Sequence, residues 1–514
     1  MKSKWLKRVG TLFLSLAVAL TMGVTSFAAP VQDDSINVEN VESGATVTAY
    51  QIVDEGNGSW VAANGVTIKD LSNPTAAEIT AIATGITNGT ITGLNTYNLT
   101  EANGIYSYSN PDAGMYLVLV SKVNSAKVYN PMIVSADYDA PDGSVDANTK
   151  FNSTAYAKSS EPTIDKSNVG MGNGNSNGGS AAAGDTVKFR IETTVPDYSD
   201  HYKNVVFNIS DTLSAGLEKA KNIEVTVGDV VAVEGRDYTV NANGNTFTVE
   251  FDSDFILASG NLNVEVTYES VVKDTAEYNF DANTNTATLT FTNAPGANGQ
   301  PGPTTDKEDK TYVYTFGLDA DLSVKNTDVN KKTHEVIKVD ENGAAENQGS
   351  ETSSTEVSYT NALAGATFGL FSDDTCKTEV MSATTNANGY MSMTGLKEGT
   401  YYLKETAVPA DSGYALNDHV YEVVIVASYN NDGTLAEYTV TIDGATSTYT
   451  ATYDGGVITN IDSRAATTFI VNSKVPGLPS TGGMGTYIFT ILGVLIMVAA
   501  VVLLKRRNRS SGRA

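Results

Sequence analysis

Three polar side chains in the middle of the chain fall where a β-strand would point its apolar residues inward. Lys166, Asp211 and Asn293 each lie an even number of positions from apolar residues, and side chains two positions apart share one face of a strand. Burial disfavours the charged form, so it lowers the pKa of a lysine and raises that of a carboxyl group. The apolar residues in phase with the three are Ile164; Val205, Phe207 and Ile209; and Ala287, Leu289 and Phe291.

A neutral amine next to a carboxamide can attack the carboxamide carbon. A protonated carboxyl group can assist by donating a hydrogen bond to the carbonyl oxygen as charge develops there. Loss of ammonia would leave an amide between Lys166 and Asn293, with Asp211 as the promoter, joining the first and last strands of a domain. The alternative is a surface salt bridge and an ordinary buried asparagine.

The elements that must position these residues are short strands. Runs of alternating apolar residues separated by glycine and asparagine turns predict an all-β protein of tandem immunoglobulin-like sandwiches. A basic N-terminus, an apolar stretch and small residues up to Ala28 predict a secretory signal peptide. The predicted segments are a signal peptide at 1–28, domains at 29–158 and 159–295, a Pro/Gly-rich linker at 296–310, a third domain at 311–477 and a C-terminal signal at 478–514.

Within the first domain the sequence predicts one helix over Pro74–Thr84, capped by Ser72 or Asn73. A strand with one solvated face is expected at Thr46–Val53, which is rich in β-branched residues, and a buried strand is expected at Gly114–Val120, which is mostly apolar.

Composition limits the function classes. The formal net charge is -26, so the exposed part should repel nucleic acid rather than bind it. The single cysteine, Cys376, excludes an intrachain disulfide, and we interpret it as a small packed residue or a surface thiol. The three histidines, His201, His334 and His419, have no catalytic or metal-ligand spacing. We therefore expect no enzyme, no metal and no cofactor, with the histidines at the surface.

The end of the chain combines Leu478, Pro479, Ser480, Thr481 and Gly482 with an apolar run and a basic cluster. The run is long enough for a transmembrane helix. Together the three parts resemble the cell-wall sorting signal of Gram-positive surface proteins. The resemblance implies that a membrane transpeptidase, sortase, cuts between Thr481 and Gly482 and passes the threonine carbonyl to an amine, so the membrane holds the chain only before sorting.

The third domain resembles the collagen-adhesin B-type immunoglobulin-like module, with Tyr401, Leu403, Glu405 and Thr406 carrying the match. In sortase-assembled pilins such domains carry self-formed Lys-Asn isopeptide bonds promoted by Asp or Glu. The resemblance implies a second trio of Lys325, Glu405 and Asn472. Lys325 lies out of phase with the apolar face of its strand, so Lys338, in phase with Val336, is the alternative lysine.

Polymerisation needs an exposed lysine. Tyr156-Ala157-Lys158-Ser159 resembles the pilin motif of backbone subunits, but it has alanine for proline and serine for asparagine. The resemblance implies that Lys158 receives Thr481 of the next subunit.

Two functions follow as hypotheses. One is a backbone pilin of a Gram-positive sortase-built pilus at the cell surface. Its expected partners are a class C sortase, identical subunits, minor pilins and peptidoglycan. The other is a wall-anchored adhesin that binds a ligand without polymerising.

Overall fold

The computed structural model describes residues 35–56, 59–137, 152–171, 174–320, 322, 334–343, 361–410, 412–474 and 484–510. The chain divides into two compact units. The first runs up to Phe316 and includes Gly395–Lys397 and Ser428–Ala436, and the second comprises Gly317–Thr394, Glu398–Ala427 and the chain from Glu437. The predicted signal peptide lies outside the described residues.

The N-terminal module, the first part of the first unit, contains ten strands: β1 (Ser35–Glu39), β2 (Thr46–Gly56), β3 (Ser59–Ala62), β4 (Thr96–Ala102), β5 (Ile105–Ser109), β6 (Gly114–Ser121), β7 (Val128–Tyr129), β8 (Met132–Ala136), β9 (Thr154–Tyr156) and β10 (Ser159–Ser160). An eight-stranded sheet has the order β8-β6-β2-β4-β5-β1-β9, with β3 paired to β2. β10 pairs with β7. The predicted strands at β2 and β6 are present, and they pair antiparallel in the middle of the sheet.

One helix, α1 (Ala76–Thr87), covers part of this sheet. Thr75 is its N-cap and forms a capping box with Glu78, in which each side chain bonds the other's backbone N–H. The sequence placed the helix correctly but put its cap two or three residues too early. Ile82 and Ala83 are buried in an apolar cluster with Leu117 of β6.

The central sandwich, the rest of the first unit, contains eleven strands: β11 (Ile164–Val169), β12 (Gly178–Ser180), β13 (Thr186–Thr194), β14 (Phe207–Leu213), β15 (Lys221–Val227), β16 (Val230–Val231), β17 (Tyr238–Asn243), β18 (Thr246–Phe251), β19 (Asn263–Val271), β20 (Asn283–Thr292) and β21 (Thr304–Tyr314). One sheet has the order β11-β13-β19-β15-β16 and the other β12-β21-β20-β14-β18-β17. A short helix, α2 (Ser253–Leu257), follows β18.

Alternation along these strands builds the core between the two sheets. Phe189 and Ile191 of β13, Phe207 of β14 and Phe291 of β20 are buried there, as predicted from period two. The predicted linker at 296–310 is wrong in its second half, because β21 pairs with β20 from Thr304 onward. The Pro/Gly-rich run is therefore a loop inside one sandwich, and the predicted start of a third domain at residue 311 falls within β21.

We call the chain from Phe316 to Lys474 the C-terminal unit, although a few of its residues are grouped with the first unit. It contains eleven strands: β22 (Phe316–Leu318), β23 (Val336–Asp340), β24 (Thr367–Phe371), β25 (Glu379–Thr384), β26 (Met393–Leu396), β27 (Gly399–Ala407), β28 (Val420–Tyr429), β29 (Leu435–Ile442), β30 (Ala445–Asp454), β31 (Val457–Arg464) and β32 (Thr468–Asn472). Seven of them form a sheet of order β25-β24-β27-β28-β29-β30-β31. β23 and β32 pair in parallel. Strands far apart in sequence are thus side by side.

The last element is α3 (Met484–Ser510). Tyr487–Arg506 is long and apolar enough to cross a membrane, which agrees with the predicted span. The predicted all-β fold of tandem immunoglobulin-like domains, with one C-terminal apolar helix, is confirmed.

Candidate functional site

The central sandwich buries four polar side chains between its sheets. Lys166 on β11 and Tyr268 on β19 come from the five-stranded sheet, and Asp211 on β14 and Asn285 on β20 come from the six-stranded sheet. None of the four exceeds 2% exposure. The central cluster, as we call these four residues, therefore bridges the two sheets through the core.

The contacts converge on the tyrosine hydroxyl. Lys166 Nζ donates to Asp211 Oδ2 and, over 2.5 Å, to the Tyr268 hydroxyl. That hydroxyl donates to Asp211 Oδ1 over 2.7 Å and accepts from Asn285 Nδ2 over 2.7 Å. The amine and the carboxamide thus meet at one phenolic oxygen.

Burial sets the electrostatics of the central cluster. It lowers the pKa of Lys166, with Asp211 opposing the shift, and it raises the pKa of Asp211, with Lys166 opposing. Transfer of one proton from the ammonium to the carboxylate would leave both groups neutral. The Lys166 amine also lies 5.3 Å from the centre of the Phe189 ring and 5.0 Å from that of the Tyr268 ring, so aromatic rings flank it beside its polar partners.

Asn293 lies elsewhere. Its Nδ2 donates to the backbone oxygen of Ser125 over 3.1 Å and to Thr305 Oγ1 over 2.6 Å. Ser125 belongs to the N-terminal module, whereas Thr305 lies on β21. The Asn293 amide therefore ties the N-terminal module to the central sandwich.

The predicted partnership of Lys166 with Asn293 is wrong for a geometric reason. Asp211 pairs with Ala287 across β14 and β20, and Asn293 lies six residues further along, about 20 Å at the rise of a strand. Asn285 lies two residues from Ala287 on the same face. A period of two gives both asparagines the same phase, so phase could not choose between them.

The C-terminal unit holds a second buried cluster. Lys338 on β23, Glu405 on β27 and Asn472 on β32 are each at most 1% exposed. Lys338 Nζ donates to Asn472 Oδ1 over 2.6 Å and lies 3.4 Å from Glu405 Oε1. Asn472 Nδ2 donates to the same Glu405 oxygen over 2.8 Å. We call these three residues the C-terminal cluster.

Backbone pairing brings the C-terminal cluster together. β23 and β32 run parallel, with Lys338 opposite Ile470 and Asp340 opposite Asn472. The backbone N–H of Lys338 donates to Gly389 O over 3.0 Å. Glu405 is oriented in turn by the backbone N–H of Asn417, which donates to its Oε2 over 2.7 Å.

Lys338, rather than Lys325, meets Glu405 and Asn472. Lys325 lies outside the described residues. Burial lowers the pKa of Lys338 to about 8, with Glu405 opposing the shift. At neutral pH roughly a tenth of this amine is therefore neutral and nucleophilic, far more than of an ordinary lysine.

A second buried polar group in the C-terminal unit, around Glu335, was not predicted from the sequence. Glu335 Oε2 accepts the backbone N–H of Asp319 over 2.8 Å, and Tyr449 donates to its Oε1. His334 Nδ1 lies 3.1 Å from Asp319 Oδ1. Burial, together with the charge of Asp319, raises the pKa of Glu335 to about 7. Local alternation carries no sign of these contacts, because they join separate segments.

The expectation of surface histidines is wrong for two of the three. His201 and His334 are buried, at 3% and 8% exposure. His419 is exposed and bonds Asp443 over 2.6 Å. Cys376 is half-buried and free. Among the described residues no group of three or more His, Cys, Asp or Glu side chains could hold a metal ion.

Lys158 is exposed on a short segment whose neighbours are fixed. The N–H of Ala157 donates to Glu39 O over 2.9 Å, and Lys158 O accepts the N–H of Asn130 over 3.1 Å. β9 before it pairs with β1, and β10 after it pairs with β7. The amine is thus presented from an ordered backbone. Its predicted partner Thr481, with the rest of Leu478, Pro479, Ser480 and Gly482, lies outside the described residues.

Sequence reasoning missed the roles of Tyr268 and Asn285. Tyr268 belongs to an apolar alternation on β19 with Val264 and Val266, so it read as a core aromatic. The available signal was its hydroxyl, since a buried tyrosine hydroxyl usually requires a polar partner.

Four family models match the chain. They are the T6 antigen Ig like domain at residues 32–167, the Sgo0707 N2 domain at 175–300, the prealbumin-like fold domain at 350–443 and the LPXTG cell wall anchor motif at 470–511. The last match confirms the predicted sorting signal.

Two curated proteins match along nearly the whole chain. The trypsin-resistant surface T6 protein of Streptococcus pyogenes serotype M6 is 26% identical, over 96% of this chain and 99% of that protein. Fimbrial subunit type 2 of Actinomyces naeslundii is 24% identical, over 92% of this chain and 85% of that protein.

Among solved structures, the T6 backbone pilin of serotype M6 S. pyogenes, described as a modular three-domain structure, has a TM-score of 0.58. It is 24% identical and covers 87% of this chain and 100% of that structure, a likeness of fold. Of the two functions that the sequence left open, the family and relative matches support the structural polymer rather than the adhesin. The anchor match identifies a cell-wall-anchored surface protein. The domain models and the similarity to the two relatives support a Gram-positive, sortase-assembled major pilin.

Proposed function

We propose that successive subunits are joined by an amide between the carbonyl of Thr481 and the side-chain amine of Lys158 in the next subunit. A sortase would attack the Thr481–Gly482 bond, hold Thr481 as an acyl-enzyme and release the segment from Gly482 onward. The Lys158 amine then attacks the acyl carbon and frees the enzyme. One amide breaks and one forms, so the exchange needs no cofactor. Repetition gives a covalent head-to-tail fibre, and transfer to a peptidoglycan amine ends it.

The exposure of Lys158 on an anchored backbone supports this assignment. An acceptor amine must reach an enzyme-bound acyl group, and a segment bonded on both sides presents it with little conformational freedom to lose. Tyr156, next but one, is 67% exposed, so an aromatic contact surface lies beside the amine.

Substitution of the acceptor tests the fibre. Lys158→Ala should abolish the ladder of very high masses in wall extracts and leave one anchored species. Lys203→Ala, which removes another exposed lysine of the same unit, should leave the ladder intact. A ladder that survives Lys158→Ala would show that another lysine is the acceptor, whereas a single anchored species from the unaltered chain would favour the adhesin.

Within each subunit we propose two self-formed amides, Lys338 to Asn472 and Lys166 to Asn285. The observation that carries this is the 2.6 Å contact between Lys338 Nζ and Asn472 Oδ1. In each reaction the lysine Nζ bonds to the asparagine Cγ, the Cγ–Nδ2 bond breaks, and one proton moves from Nζ to the departing nitrogen. Ammonia leaves, so atoms and charge balance.

The arrangement of Glu405 fits the role of promoter. One of its oxygens lies near both the amine that loses a proton and the amide nitrogen that gains one. A carboxyl group whose neighbours exclude water can move that proton without solvent. The chain acts on itself once and does not turn over.

Intact mass and peptide mapping of the full chain test both bonds. We expect the loss of two ammonia molecules, one from each cluster. Asn285→Ala and Asn472→Ala should each lose only one ammonia, and Asn293→Ala should still lose two. Loss of the central bond in Asn293→Ala but not in Asn285→Ala would contradict the assignment of Asn285.

A further inference from the structure

The two clusters differ in the oxygen on which the reacting nitrogens converge. In the C-terminal cluster both nitrogens lie near Glu405 Oε1, which is 3.4 Å from Lys338 Nζ and 2.8 Å from Asn472 Nδ2. In the central cluster the corresponding oxygen is the hydroxyl of Tyr268. It lies 2.5 Å from Lys166 Nζ and 2.7 Å from Asn285 Nδ2.

The carboxyl group of the central cluster is one methylene shorter. Asp211 uses one oxygen for Lys166 and the other for the Tyr268 hydroxyl. Within the part of the chain that the structure describes, Asn285 Nδ2 bonds Tyr268 and not Asp211. The phenol therefore fills the gap that the shorter carboxylate leaves.

We infer that Tyr268 is a catalytic residue of the central cluster, which carries the proton from Lys166 to the departing nitrogen of Asn285 in relay with Asp211. This inference rests on the proposed function, since it concerns how the proposed Lys166–Asn285 amide forms.

The proton path balances. Attack by Lys166 Nζ on Asn285 Cγ gives a tetrahedral carbon and an amine with one proton too many. Asp211, which holds the proton it took from the ammonium, can give that proton to Tyr268 at Oδ1 and take the surplus proton of Nζ at Oδ2. In the planar amide Nδ2 can only donate, but in the tetrahedral intermediate it has a lone pair and can accept. Tyr268 then protonates Nδ2 and recovers a proton from Asp211. The Cγ–Nδ2 bond breaks, and ammonia leaves.

The environment of Tyr268 suits a relay rather than a base. Burial, followed by the charge of Asp211, raises the pKa of Tyr268 well above its ordinary value, so the phenol holds its proton until the intermediate forms. Its ring packs on Phe189, with centroids 5.3 Å apart, and edge-on to Phe247 at 4.9 Å. These contacts fix the hydroxyl in place.

The test is the rate of ammonia loss in the full chain, made in a short cell-free pulse and followed by mass spectrometry of peptides from each cluster. Tyr268→Phe keeps the ring and removes only the hydroxyl. We expect the central bond to form at least tenfold more slowly, while the Lys338–Asn472 bond of the same molecule forms at the unaltered rate. Equal central rates in Tyr268→Phe and the unaltered chain would overturn the inference.

Two further variants distinguish a loss of catalysis from a loss of folding. In Asp211→Glu combined with Tyr268→Phe, the longer carboxylate reproduces the arrangement of Glu405, and we expect it to recover most of the lost rate. A fluorinated tyrosine at position 268 keeps the shape and makes the phenol more acidic. Because expulsion of an amide nitrogen requires its protonation, the central bond should then form faster and its pH–rate profile should move to lower pH.

A central rate that does not change with the acidity of the phenol would overturn the inference even if Tyr268→Phe folds poorly. Failure of the proposed function looks different, because the unaltered chain would then keep both central nitrogens and lose no ammonia there.

Discussion

Buried ionisable side chains mark the chemically special positions of this pilin. An uncompensated buried charge is costly, yet Lys166, Lys338 and Glu335 are all buried. The two lysines face an asparagine and a carboxyl group, and covalent capture would remove the charge permanently. Glu335 has no proposed covalent partner, so it remains titratable, and its titration should affect the pH dependence of stability.

The first prediction concerns Glu335. Its pKa is about 7 in the fold against an ordinary 4.5, so between these values the folded state binds more protons than the unfolded state. The stabilising contribution is full below about pH 4.5 and is lost as pH rises through 7, up to about 3 kcal/mol. Glu335→Gln should reduce the slope of unfolding free energy against pH. Calorimetry of the unfolding of the C-terminal unit from pH 4 to 8 measures this slope.

The matched control is Glu341→Gln, which alters an exposed carboxyl group in the turn after β23 and should leave the slope unchanged. Part of the slope should persist in Glu335→Gln, since burial also raises the pKa of Asp319. A slope identical to that of the unaltered chain would show that Glu335 titrates normally.

At the scale of elements, strand pairing decides which polar residues meet. β23 lies beside β32 although 134 residues separate Lys338 from Asn472. The edge of β23 is held by the turn at Gly389, where a Cβ would lie 2.5 Å from the backbone oxygen of Lys338. This glycine also has φ +78°, a conformation that costs other residues about 1–2 kcal/mol.

The second prediction follows from that close approach. Gly389→Ala should push β23 away from the turn, destabilise the C-terminal unit and slow the Lys338–Asn472 bond. Gly343→Ala is a close control, because Gly343 has φ +69° and open space around it. It carries the same backbone strain without the clash. The rate of ammonia loss in the two variants is the measurement, and equal rates would mean that contact with Gly389 does not position Lys338.

At the scale of the whole molecule, the fibre must transmit tension through domains that have no disulfide. An amide between Lys338 and Asn472 closes a loop of 134 residues, and by analogy with a disulfide it would stabilise the fold by about 5 kcal/mol. A bond from Lys166 to Asn285 would additionally tie one sheet of the central sandwich to the other.

The third prediction is that Asp211→Asn and Glu405→Gln each lower the midpoint temperature of one thermal unfolding transition. The near-isosteric changes keep the packing but remove the carboxyl group that moves the proton, so the lysine and asparagine remain unjoined. Asp211→Asn should affect the central sandwich, Glu405→Gln the C-terminal unit, and the double variant both. Calorimetry and limited proteolysis are the measurements, with retained ammonia confirming that the bond is absent. If variants that retain ammonia unfold at the same temperature as the unaltered chain, the amide bonds do not stabilise their domains.

Local pattern determined a large part of this protein. Alternation found the strands, the Pro74–Thr84 run found the only helix of the N-terminal module's described part, and the tail predicted an LPXTG anchor that the family model matches. These features depend on residues close together in the chain, so the sequence contains them directly. The prediction of an interdomain linker at 296–310 was wrong, because Pro and Gly residues indicate a loop but not whether the strand after it pairs within the same sheet.

Tertiary structure alone decided which residues meet. The sequence analysis put Asp211 and Asn293 on core faces, and Asn285, which it did not single out, has the same phase as Asn293. Only the register of β14 against β20 places Asn285, and not Asn293, beside Asp211. Likewise only the parallel pairing of β23 with β32 joins Lys338 to Asn472. Period two specifies the face of a strand but not the position along it, and that position depends on pairings between residues far apart in the chain.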